Sequence, residues 1–117
     1  MRILVADHHD KMRRCLVNVL ERDFLVVGAV SNGFDLVEAA ARLRPDVIVS
    51  DVHLPKLSGT EALKNLQEGG IDIPFVFVCS DRALVDRVRH TLSACVHRVD
   101  AMAELTEAVF CAAASLP

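Results

Sequence analysis

The chain has no pair of cysteines at C-x-x-C spacing, no apolar run of bilayer-spanning length, no excess of basic residues and no glycine-rich phosphate loop. Each absence closes off a class of function. Cys15, Cys79, Cys95 and Cys111 sit apart, inside apolar runs or on helix faces, and read as small buried hydrophobes rather than a metal or disulfide framework. Without a stretch of about 20 apolar residues, no helix is expected to span a membrane. A net charge of −3 gives no electrostatic footprint for nucleic acid. The basic group Arg82, Arg87, Arg89, His90 and Arg98 is diluted by Asp81 and Asp86 and reads as a solvated face. The missing phosphate loop argues against a nucleotide binder. Met1-Arg2-Ile3-Leu4 runs straight into a strand pattern, so no secretory leader is expected, and unpaired thiols point to a reduced, cytoplasmic setting.

What remains is a single domain of 117 residues, 52% apolar, with alternating strand and helix patterns. Arg2–Ala6 reads as a strand. Asp10 is placed to cap a helix to about Arg22, with Met12, Cys15, Leu16, Val19 and Leu20 as its buried stripe. Phe24–Val30 reads as a second strand, closed by a Ser31-Asn32-Gly33 turn. A helix carrying Leu36, Val37, Ala40, Ala41 and Leu43 follows and is stopped by Pro45. Val47–Ser50 is a third strand. Ser58-Gly-Thr-Glu61 has capping-box spacing and opens a helix that Gly69-Gly70 ends. Pro74–Cys79 is a fourth strand, and Leu84, Val85, Val88 and Leu92 mark a fourth helix. Cys95–Val99 is a weak fifth strand, and Glu104–Ala114 a last helix. Five βα units in succession predict an α/β fold with a doubly wound parallel sheet and helices on both faces.

The most informative stretch is Asp46-Val-Ile-Val-Ser-Asp51-Val-His53-Leu-Pro55-Lys-Leu-Ser-Gly59. A continuous apolar run of strand length suits a parallel strand buried on both faces. It ends in the Asp51 carboxylate. In open parallel sheets the chemistry lies beyond the carboxyl ends of the strands. Asp51 is therefore a reactive group at the rim, not a core residue.

Taken together, several motifs make the chain resemble the receiver domain of bacterial two-component response regulators. They are Ile3-Leu-Val-Ala-Asp7-His8-His9, Arg44-Pro45-Asp46 with Val47 to Asp51, Leu54-Pro55 with Gly59, and Val76-Phe-Val-Cys-Ser80. Residues 26–33, Val26-Val-Gly-Ala-Val-Ser-Asn-Gly33, look most like the LuxR/NarL-like subfamily, which usually carries a C-terminal helix-turn-helix module. The resemblance implies a flavodoxin-like sheet of order 2-1-3-4-5. It also implies one receiver domain over residues 1–117, with the effector domain absent from this chain. Asp51 is implied as the phospho-acceptor and Ser80 as the switch hydroxyl. Mg²⁺ is implied on Asp7, Asp51 and the His53 backbone carbonyl. His8 stands where a second acid is expected. No Lys occurs beyond Lys64, so Arg98 is the nearest substitute for the Lys after strand five, with His97 and Val99 as other occupants of that position. Cys95–Val99 also lacks the usual aromatic switch residue.

Two expectations of different class follow. One is a signalling switch, not an enzyme in its own right. It would take a phosphoryl group on Asp51 from a histidine kinase or phosphotransfer protein, with Mg²⁺ bound weakly or not at all. An imidazole at His8 suits Zn²⁺, Ni²⁺ or Cu²⁺ better than Mg²⁺. The other is a phosphorylation-independent pseudo-receiver, a protein-interaction or homodimerisation module. A transition-metal site on His8, His9 and His53 ranks below solvated or structural roles for these residues. Neither expectation involves direct contact with nucleic acid or a membrane; a DNA-binding module would belong to a longer parent chain.

Overall fold

The computed structural model describes residues 1–78 and 96–99, together with Val109, Phe110 and Ala113, which are helical. In chain order the elements are β1 (Arg2–Ala6), α1 (Asp10–Leu20), β2 (Leu25–Val30), α2 (Gly33–Leu43), β3 (Val47–Asp51), α3 (Gly59–Glu68), β4 (Phe75–Val78) and β5 (Val96–Val99). All four strand pairings are parallel, and the sheet order is β2-β1-β3-β4-β5. The expected fourth helix and most of the fifth lie outside the described residues.

Strand alternation builds two cores from one sheet. Leu4, Ala6, Ile48, Phe75 and Phe77 face one layer, where they meet Leu36, Ala39 and Ala40 of α2 and Ala62, Leu63 and Leu66 of α3. Ile3, Val5, Val47, Val49 and Val76 face the other layer, where they meet Leu16 and Leu20 of α1 and Val109. With both faces covered, β1 and β3 become continuous apolar runs.

The helix ends follow local chemistry. Asn32 caps α2, its side chain accepting from the Asp35 N–H at 2.9 Å. Arg44 closes α2 in the left-handed region at φ 48°, ahead of Pro45. Ser58 caps α3, its hydroxyl oxygen accepting from the Glu61 N–H at 3.2 Å, as the capping-box spacing requires. Two details depart from the sequence reading. The N-cap of α1 is His9, with no side-chain cap; Asp10 is the first helical residue and pairs with Arg13 at 2.6 Å. Met12 and Cys15 are exposed, as is Ala41 of α2, so Cys15 is a free surface thiol and not a core residue. In α1, Arg13 takes the place beside the sheet. Its guanidinium donates to the Asp7 carbonyl at 3.0 Å and to Asp10, which draws that side of α1 toward the sheet. The remaining three cysteines lie outside the described residues.

Candidate functional site

Asp7 follows β1 and Asp51 ends β3, two adjacent strands of the sheet. Ala6 is in register with Ser50, so the two carboxylates emerge side by side at the carboxyl edge. Asp7 is buried, with 4% of its side chain exposed; Asp51 is half-buried. Each carboxylate accepts from the backbone two residues on: Asp7 Oδ1 from His9 N–H at 2.8 Å, Asp51 Oδ1 from His53 N–H at 3.1 Å. These Asx-type bonds fix the carboxylates over the strand ends. Burial pushes the Asp7 carboxyl above the ordinary range. The His9 backbone bond works against that shift, and the nearby Asp51 charge adds to it.

The third donor is an imidazole. One ligand atom each of Asp7, His9 and Asp51 lies within 4.8 Å of the other two. His9 Nδ1 is 3.6 Å from Asp7 Oδ1. His8, the residue aligned with the missing acid, is exposed and is not part of this group; its ring packs against His9 at 4.9 Å between centroids. The sequence signal for His9 was weak, because nothing in Asp7-His8-His9 says which imidazole turns inward. The β-to-α turn decides it: the extended backbone at His9 and its N–H bond to Asp7 place His9 beside the carboxylate. His53 is exposed, and its backbone orients Asp51.

The loop after Asp51 is tightly built. Gly59 N–H donates to the Val52 carbonyl at 2.8 Å, folding the loop back over the strand end. A Cβ on Gly59 would sit 2.4 Å from the Asp51 carbonyl oxygen, so only glycine permits this approach. The Pro55 carbonyl accepts from Leu57 N–H at 2.8 Å around Lys56, whose φ is 69°, forming a γ-turn. The same carbonyl accepts from Gly33 N–H at 3.3 Å, tying this loop to the start of α2. A Pro-Lys pair gives no sequence sign of a positive φ at the lysine. Ser80 lies outside the described residues. Arg98 is placed only by its backbone, in register with Phe77 on β5.

Two carboxylates converging at the end of a parallel sheet, followed by a Leu-Pro loop that closes on Gly59, match one family of folds. The family model for the response regulator receiver domain covers residues 3–107. The chain belongs to the response regulator receiver family.

Among its relatives, a protein-glutamate methylesterase/protein-glutamine glutaminase of Myxococcus xanthus is 36% identical over 107 residues, covering 90% of this chain and 29% of the relative. A nitrate/nitrite response regulator protein homolog of Haemophilus influenzae is 38% identical over 74 residues, 62% of this chain and 36% of the relative. The receiver chain thus spans about a third of the length of these curated relatives. Among solved structures, the response regulator domain of Thermotoga maritima CheB superposes with a TM-score of 0.87 at 27% identity, covering 100% of this chain and 98% of that one. The likeness to methylesterases therefore coincides with a response regulator domain. Among the described residues, no helix is long and apolar enough to cross a membrane.

Proposed function

We propose that this receiver is a phosphorelay switch whose Asp51 carboxylate takes a phosphoryl group from a phosphohistidine partner. The observation that supports this is the placement of Asp51. It stands half-buried at the end of β3, with Oδ1 held by His53 N–H and Oδ2 without a hydrogen-bond donor among the described residues. That free oxygen attacks phosphorus, the phosphorus–nitrogen bond of the donor breaks, and the imidazole leaves. Asp7 holds the second carboxylate of the pocket. The pair is an oxygen donor set that fits a hard divalent ion, and Asp7 and Asp51 would hold Mg²⁺, with the His53 carbonyl as a further oxygen. Bound Mg²⁺ supplies positive charge against the charge on the transferring group. In this reading Ser80 follows the phosphoryl oxygens and Arg98 replaces the usual lysine cation. Arg98 is a permanent cation, but its planar fork is not a spatial equal of lysine. Its partners are a histidine kinase or phosphotransfer protein and, in a longer parent chain, an effector such as the DNA-binding or methylesterase modules its relatives suggest.

A pseudo-receiver reading has one observation in its favour: His9, not a second acid, lies against Asp7. Acetyl phosphate with Mg²⁺, followed by intact mass measurement, separates the two. A gain of one phosphoryl group supports the switch. No gain from a folded protein favours an interaction module.

A further inference from the structure

We propose that the acidic pocket of this receiver is a mixed nitrogen–oxygen site, with His9 Nδ1 joining the Asp7 and Asp51 carboxylates, that takes a divalent transition ion in preference to Mg²⁺. The inference rests on reading this pocket as the domain's cation site, and it changes which cation and which ligands.

Three observations carry it. The donors are already gathered: one atom from each of the three residues lies within 4.8 Å of the others, and His9 Nδ1 and Asp7 Oδ1 are 3.6 Å apart. A tetrahedral ion with metal–ligand distances of about 2.1 Å needs neighbouring donors roughly 3.4 Å apart, so this edge is nearly formed. Asp7 is also short of a partner. Its side chain is 4% exposed, Oδ1 accepts from His9 N–H, and Oδ2 has no donor among the described residues. A buried carboxylate oxygen without a partner is costly, and a cation shared with Asp51 is a partner the geometry permits.

The third observation is how His9 is held. It is the N-cap of α1, and its carbonyl accepts from Arg13 N–H at 2.9 Å. Arg13 in turn donates through its guanidinium to the Asp7 carbonyl. The helix start thus fixes the His9 backbone beside the carboxylate, while the 72% exposure of its side chain leaves the imidazole open to water and to an incoming ion. Imidazole beside carboxylate suits Co²⁺, Zn²⁺ or Ni²⁺, whereas Mg²⁺ prefers an all-oxygen octahedron. A His9–Asp7 ion pair is the competing use of this contact. Such a pair leaves Asp51 out and, being made through Oδ1, gives Asp7 Oδ2 no partner.

The test titrates the metal-depleted domain with Co²⁺ and with Mg²⁺, by calorimetry and by visible absorption of bound Co²⁺. One Co²⁺ per chain is expected, bound at least about tenfold more tightly than Mg²⁺. His9→Ala should bring Co²⁺ down to the Mg²⁺ level; His8→Ala and Cys15→Ser should leave Co²⁺ binding unchanged. Circular dichroism checks that each variant is folded. Equal Co²⁺ affinity in wild type and His9→Ala overturns the proposal. So does loss of binding in His8→Ala, or a thiolate-to-metal absorption band placing the ion on cysteine. The acetyl phosphate reaction in excess Mg²⁺ is run on the same preparation. Phosphorylation without a His9-dependent Co²⁺ site defeats this inference alone. A His9-dependent site without phosphorylation under any ion defeats the switch reading alone.

Discussion

Replacing Gly59 with alanine sets a methyl group against the backbone that carries Asp51. The new Cβ would lie 2.4 Å from the Asp51 carbonyl oxygen, 2.9 Å from Phe77 Cε1 and 3.1 Å from Ser50 Oγ. None of the three can yield easily. Phe77 and Ser50 are fully buried, and the Ser50 hydroxyl already donates to that same Asp51 carbonyl at 2.8 Å. Overpacking of this kind costs about 1–3 kcal/mol. At roughly 4 °C per kcal/mol for a domain of this size, the melting temperature should fall by about 4–12 °C. Because the displaced atom belongs to Asp51, phosphorylation should slow as well. Gly69→Ala is the control: its nearest neighbours would be at 3.5 Å, an ordinary contact, and the change should stay within about 0.5 kcal/mol. Chemical denaturation of both variants measures the difference. Equal stability of the two would refute the claim that the β3–α3 loop is locked by contact at Gly59.

Asn32→Ala removes the cap of α2 and should cost about 1 kcal/mol by denaturant midpoint, with the slope unchanged. Asp7→Asn should stabilise the metal-free domain near neutral pH. The folded-state pKa of Asp7 is raised, so the ionised form is penalised above it; that penalty fades as pH falls through the folded value and is gone below the ordinary value of 3.8. Stability curves of the two proteins should therefore converge in acid, and a gap that widens there would contradict the burial argument. His8→Asp restores the acid at the aligned position and should strengthen Mg²⁺ binding by calorimetry; unchanged affinity would mean that position does not reach the pocket.

The fold was legible because the three inner strands β1, β3 and β4 obey one rule. Ile3 to Ala6, Val47 to Val49 and Phe75 to Phe77 are unbroken apolar runs, which only a sheet buried on both faces explains. Ser58 was legible because capping depends on a few adjacent residues. The facing of α1 was not, since a hydrophobic stripe treats Arg13 as outward, and only the tertiary bond to the Asp7 carbonyl turns that side inward. The two carboxylates were legible from their places after strands, but the imidazole that joins them was not. His8 and His9 are chemically alike, and the turn geometry chooses between them. The γ-turn at Lys56 leaves no residue signature, because its positive φ is imposed by Pro55 accepting from both Leu57 and Gly33.

The central claim is that Asp51 accepts the phosphoryl group, and intact mass after acetyl phosphate treatment tests it most directly in two variants. Asp46 is the matched control: its Oδ2 accepts from Arg2 N–H at 2.7 Å, at the opposite end of the sheet, where it cannot reach the pocket. Asp46→Asn should retain the gain of one phosphoryl group expected of the wild type, and Asp51→Asn should abolish it. A gain that survives Asp51→Asn would contradict the assignment.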